Sequence, residues 1–202
     1  MIEQRVIVIA GIQHVGKTTT GGLLAGKFGC SFYDTDLETE RLTGSHPREI
    51  TAKGGQVAYN IAETSTIRHI LSEIENSNYE RIVISTGGGF CDNPKGISLL
   101  KKAGIIVCLD ADLEIGFGRI LKETVQKKDG SLSGYPIYPG YENIIPKTID
   151  DVRKIYYDFQ AIRITRYKNI ADIIVPVDAS SPEENMEKVL NSISGYQKNL
   201  YA

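Results

Sequence analysis

Apolar residues in this chain gather into short continuous runs instead of alternating with polar ones. Val6–Ala10, a brief stretch near Ser31–Tyr33, Arg81–Ser85, Ile105–Leu109 and Asp172–Val177 read as strands. The segments between them carry helical patterns, at about Lys17–Phe28, Asp36–Leu42, Gln56–Ser77, Pro94–Lys102, Asp112–Lys127, Ile149–Asn169 and Pro182–Ser194. The last has Ser181 as its cap and a core-facing stripe of Met186, Val189, Leu190 and Ile193. Continuous apolar strands separated by helices predict an α/β chain whose central parallel sheet, of about five strands, is covered on both faces. Ligands of such sheets bind beyond the carboxyl ends of the strands, so the residues just after each strand hold the chemistry.

After the first strand, Gly11, Gly16, Lys17 and Thr18 fit G-x-x-x-x-G-K-[ST], the phosphate-binding loop pattern. Glycines let backbone N–H groups turn onto phosphate oxygens, and the following helix directs its positive end at them. Lys17 would neutralise β- and γ-phosphates and the Thr18 hydroxyl would ligate Mg²⁺. His14, Val15 and Thr19 complete the expected nucleotide-binding loop. The second strand leads into Asp34-Thr35-Asp36. In extended geometry both carboxylates would face the loop mouth, one for metal or proton and one for a substrate hydroxyl; the bland alternative is that Asp36 caps the next helix. The third strand leads into Gly87-Gly88-Gly89, whose backbone would approach an anion or a substrate edge closely.

Composition narrows the partners. The 202 residues suit one domain, 1–202, and a net charge of −2 gives no general attraction to nucleic acid or an anionic membrane. Cys30, Cys91 and Cys108 lack paired or metal-ligand spacing, and Cys108 reads as core. The start runs directly into a strand, and no apolar run approaches the roughly 18 residues of a membrane span, so a cytoplasmic location is expected.

Taken together in order, GIQHVGKTT, FYDTDLETERLTG, REI…GGQVAYNIAE, STGGG, LDADLEIGFGRI and RITRYKNIADIIV resemble the shikimate kinase family of P-loop small-molecule kinases. The resemblance implies a three-layer α/β/α P-loop kinase fold with a lid, and transfer of phosphate from ATP, with Mg²⁺, to a hydroxyl of a small metabolite. It implies that Asp34 is the catalytic or magnesium-linked carboxylate and Asp36 the hydroxyl anchor, with Gly87, Gly88 and Gly89 lining the acceptor pocket. Arg119 matches an arginine near adenine and phosphates, and Arg163 matches one that pairs with a substrate carboxylate and joins Lys17 and Asp34 in the catalytic set.

Three departures bear on the acceptor. Asn60 stands where the family's F-R-x-x-E carries arginine, within Tyr59-Asn60-Ile61-Ala62-Glu63. Losing a charge-assisted clamp on a carboxylate costs about 1.5–3 kcal/mol, or roughly 10–150-fold in affinity. Arg68 or Lys53 could compensate, or Asn60 could belong to a pocket shaped for another acceptor. His14 replaces a usual glycine and is expected to lie exposed. The lid, about 124–152, lacks the family's R-P-L-L run, is longer, and its Gly, Pro and Tyr content suggests an ordered cover. Tyr135, Tyr138 and Tyr141 would wall the pocket or an interface; Lys127, Lys128 or Lys147 would be a replacement cation or plain surface. A kinase is therefore expected, with a nucleotide-binding protein that has lost or lowered its activity as the alternative.

Overall fold

A computed structural model describes residues 5–75, 81–141 and 143–200. The chain runs β1 (Val6–Ala10), α1 (Lys17–Phe28), β2 (Ser31–Asp34), α2 (Thr35–Thr43), α3 (Pro47–Glu75), β3 (Ile82–Ser85), α4 (Pro94–Ala103), β4 (Gly104–Ala111) and α5 (Leu113–Glu123). A small hairpin follows, β5 (Val125–Gln126) and β6 (Leu132–Ser133), then α6 (Ile149–Ile170), β7 (Ile173–Val177) and α7 (Pro182–Leu200).

The five larger strands form one parallel sheet in the order β2-β3-β1-β4-β7. β1 and β3 are buried at every position, as strands covered on both faces must be. β7 alternates buried and exposed residues and carries Pro176, which an edge strand tolerates because one side of its backbone faces no ladder. From β1 the chain departs toward β2 and from β4 toward β7, so the carboxyl ends of these two adjacent strands frame the crevice where ligands of such folds bind.

Nine expected elements lie within two residues of the observed bounds at both ends, and β1 and α1 match at each end. Ser181 caps α7, its hydroxyl accepting from the Glu184 N–H, and Met186, Val189 and Ile193 are buried as read. Three expectations change, the simplest being α7, which runs past its expected end at Ser194 to Leu200. The helix expected from Gln56 begins nine residues earlier, at Pro47, and bends at Gly55, whose φ of 67° and ψ of −170° only glycine adopts comfortably. Its expected end at Ser77 lies outside the described residues. The helix expected to reach Lys127 stops at Glu123, because Val125–Gln126 pairs with Leu132–Ser133 and Lys127–Gly130 makes the turn.

Helices pack by what their small residues allow. A Cβ on Gly21 would lie 2.7 Å from the Phe32 ring, so α1 sits directly on β2. A second apolar cluster, separate from the sheet core, joins Phe117 and Ile120 of α5 to Val152 and Tyr156 of α6 and to Leu132 and Tyr138 of the 124–152 segment. That segment packs against α6, with Tyr138 stacked on Phe159 at 4.3 Å between ring centroids.

Glycine contexts yield a paired prediction. A Cβ at Gly104 would fall 1.9 Å from the Val6 carbonyl oxygen, so Gly104→Ala should destabilise by about 2–3 kcal/mol. Gly22, inside α1 with nothing within 4 Å of its added Cβ, should gain about 0.5–1 kcal/mol as Gly22→Ala. Urea unfolding of the two variants checks both signs.

Candidate active site

The turn after β1 is built for an anion. Gly11 has φ 144° and its Cβ would strike the Leu109 carbonyl at 2.9 Å, while Gly16, at φ 101°, begins α1. α1 has neither a capping side chain nor an acidic residue in its first turn. By contrast α2, α4, α5 and α6 each carry a side-chain cap, from Asp34, Asn93, Asp112 and Thr148. The first N–H groups of α1 are therefore left for an external acceptor. Lys17, only 8% exposed, donates to the Ile12 carbonyl at 2.8 Å across the loop. Burial lowers its pKa to about 8, against the pull of Asp36 and Asp34.

His14 adopts the left-handed conformation, φ 62°, which explains why glycine suits this position and costs a side chain about 1–2 kcal/mol. The expectation of an exposed side chain is corrected: His14 is half-buried, and desolvation lowers its pKa. Its carbonyl accepts from Arg119 of α5, whose guanidinium lies against Gly16. Val15 is buried in the loop and Thr19 is exposed in the first turn of α1.

β2 ends at Asp34, so the two carboxylates do not share an extended strand. Asp34 Oδ1 accepts from the N–H groups of Asp36 and Leu37, capping α2, and its Oδ2 accepts from the Thr18 hydroxyl at 2.7 Å. The cap is Asp34, and Asp36 is released from that duty. Asp36 instead turns from the first turn of α2 toward Tyr59, whose hydroxyl donates to it at 2.6 Å. The Tyr59 oxygen also lies 3.1 Å from Glu63 Oε1. One phenolic proton cannot serve two carboxylates, so Glu63 is best accommodated protonated. Burial raises its pKa to about 7, despite donation from Asn93 at 2.8 Å, and raises that of Asp36.

The three glycines after β3 answer a packing demand. A Cβ on Gly87 would meet the Tyr59 hydroxyl at 2.1 Å and Asp36 at 2.5 Å; on Gly88 it would meet Gln13 at 2.2 Å. The Gly87 N–H is taken by Thr35 at 2.9 Å, so the glycines admit the site's own side chains as well as any ligand.

Beyond them an open cleft of about 480 Å³ is bounded by Gln56, Cys91, Asp92, Phe159, Arg163 and Arg166, with Pro139 of the 124–152 segment at its rim. Arg163, 5% exposed, donates to the Gly88 carbonyl and to Asp92 Oδ2, at 2.9 and 2.8 Å, and stacks on Phe159 at 4.2 Å. Arg166 pairs with the other Asp92 oxygen. Asn60 lies just behind, donating to the Asp92 carbonyl at 2.7 Å and accepting from Gln56 at 2.8 Å. The short 3₁₀ turn Phe90–Asp92 is pinned by that contact. Arg68 and Lys53 are exposed, as are Lys127, Lys128 and Lys147, the surface reading for the three lid lysines.

Tyr59, Asp92, Arg166 and Phe159 were not singled out as site residues from sequence. Gln56, Tyr59, Asn60 and Glu63 recur at helical spacing, so a polar stripe on one face of α3 was readable. Asp92 and Arg166, 74 residues apart, carried no local signal.

Glu63 gives a pH prediction. Its folded pKa, about 7, lies above the ordinary 4.5, so the stability it confers is fully present below about pH 4.5 and is lost as pH rises through 7. Urea unfolding should find the wild type weakened by roughly 2–3 kcal/mol across that window, with a shallower slope in Glu63→Gln. An equal slope in both proteins would contradict the assignment.

The sequence profile of the family described as shikimate kinase matches residues 14–194. A shikimate kinase of Pelotomaculum thermopropionicum is 38% identical over 109 residues, 54% of this chain and 60% of that protein. One from Macrococcus caseolyticus is 31% identical over 85% of this chain and 86% of that one. Among solved structures, a shikimate kinase from Acinetobacter baumannii in complex with shikimate superposes with a TM-score of 0.71. It covers 95% of this chain and 94% of its own, at 24% identity, which speaks to the fold. With a phosphate loop on the central strand and the family profile spanning most of its length, this chain belongs to the shikimate kinase family, and is a small-molecule kinase that passes phosphate from ATP to a hydroxyl.

Proposed function

We propose that this kinase works with Mg²⁺, that Thr18 and Asp34 hold the metal, and that the acceptor hydroxyl is seated at Asp36, at the inner end of the cleft. The carrying observation is the 2.7 Å contact between Thr18 and Asp34 at the uncapped start of α1, with Asp36 two residues on. The donor set suits the ion: one carboxylate and one hydroxyl are enough for Mg²⁺, which keeps waters and takes phosphate oxygens. No trio of acidic or His/Cys ligands occurs among the described residues, and this chemistry needs none. When bound, Mg²⁺–ATP supplies the phosphoryl group and screens its charge.

The remaining work belongs to the chain. Lys17, held by the Ile12 carbonyl and by the loop, places its ammonium where phosphate charge accumulates. The free N–H groups of α1 add fixed positive ends. Arg119 clasps the His14 carbonyl and so stiffens the loop from the α5 side. Asp36 accepts the acceptor's hydroxyl proton at the carboxylate oxygen that Tyr59 leaves open; burial raises its pKa and makes it a stronger base than an ordinary aspartate. The 124–152 segment, packed through Tyr138 onto Phe159, brings Pro139 to the rim of the open cleft, from where it would act as the lid that excludes water. Having Lys17, Thr18, Asp34 and Asp36 around one point supports turnover over a scaffold role. The solved shikimate kinase from Acinetobacter baumannii is in complex with shikimate, and that is the first compound to assay.

Lys17→Ala should lower kcat at least about a hundredfold in a coupled ADP-release assay. A near-normal kcat would contradict the phosphate-site reading. In calorimetry with Mg²⁺ present, ATP affinity of the wild type should fall as pH rises through about 8, where Lys17 sheds its charge. Lys17→Arg, which stays charged, should lack that inflection.

A further inference from the structure

The cleft already holds a carboxylate of its own. Asp92 offers one oxygen to Arg163 and the other to Arg166, so both guanidiniums at the acceptor end are engaged. Arg163 has little freedom to turn elsewhere, because the Gly88 carbonyl, Asp92 and the Phe159 ring hold it on three sides. Asp92 is equally fixed: Asn60, locked by Gln56, grips its backbone carbonyl at 2.7 Å. Toward the space leading to Asp36 lie the acidic groups Asp34, Asp36 and Asp92 and the basic groups Lys17, Arg163 and Arg166, with the exposed Arg48 near enough to act on His14 and Tyr138.

Resting on the function proposed above, we infer that Asp92 is an internal counter-ion which closes the cationic end of the cleft, and that the acceptor is an uncharged polyol. A carboxylated acceptor would bring a fourth negative charge beside Asp92 and compete with it for the same two guanidiniums. An ammonium-bearing acceptor would sit against Arg163 and Arg166. A neutral polyol meets neither penalty, and its hydroxyls can accept from the remaining guanidinium N–H groups and donate to the Asp92 carboxylate. Asp92 is thus a specificity residue, with Asn60 as the group that positions it.

The test is kcat/KM by ADP release for the full chain, over neutral polyols (myo-inositol, glucitol) and carboxylated ones (shikimate, quinate, gluconate). The wild type should favour the best neutral polyol by at least about tenfold. Asp92→Asn, which keeps the shape and frees the two guanidiniums, should raise kcat/KM for a carboxylated acceptor at least about tenfold. Preference of the wild type for a carboxylated acceptor, together with a lower value in Asp92→Asn, would overturn the inference while leaving the kinase reading intact. No turnover of any acceptor by either protein would instead count against the proposed seating of the acceptor. A measurement free of variants runs alongside: titration of shikimate into the ADP-bound wild type by calorimetry. A Kd of roughly millimolar or weaker supports the inference, and one in the micromolar range overturns it.

Discussion

A charge taken out of water must find a partner, and that demand organises the carboxyl edge of the sheet. Lys17, Asp34, Glu63 and Arg163 are all under a tenth exposed, within a few residues of the ends of β1, β2 and β3 or on helices packed over them. Each is answered. Lys17 has a carbonyl, Asp34 has two backbone N–H groups and a hydroxyl, and Arg163 has a carbonyl, a carboxylate and an aromatic face. Glu63 is the weakest case electrostatically, and it responds by holding its proton to near neutrality. Such a network keeps side chains in place before any ligand arrives, so little reorganisation is left for the reaction itself.

Asp34 shows how closely fold and chemistry are joined. The same carboxylate ends β2, starts α2 and holds Thr18 of α1. Removing it would loosen a helix terminus and a metal-facing hydroxyl together, which makes its contributions to folding and to turnover hard to separate by mutation of that residue alone. Asp36 and Glu63 form a second such unit around the Tyr59 hydroxyl, reaching from α2 to α3.

Sequence made the sheet legible because its inner strands β1, β3 and β4 are continuous apolar runs, buried on both faces. The phosphate loop, the two aspartates and the triple glycine stood out for the same reason: each follows directly on a strand. What escaped was either local and weakly patterned or distant in sequence. Residues 47–54 precede the Gly55 bend and show little apolar face, so the start of α3 was not visible. The hairpin at β5 and β6 was announced by Asp129-Gly130, a turn pair that the lysines beside it obscured. The Asp92 cluster has no pattern to read, because its members come from a 3₁₀ turn, α3 and α6, and meet only once the sheet has formed.

Pro176 has a consequence away from the active site. β7 closes one side of the sheet, and at Pro176 its outer margin lacks a hydrogen-bond donor. An edge interrupted in this way is a poor template for another strand, so the proline guards the folded protein against sheet-to-sheet aggregation on that flank.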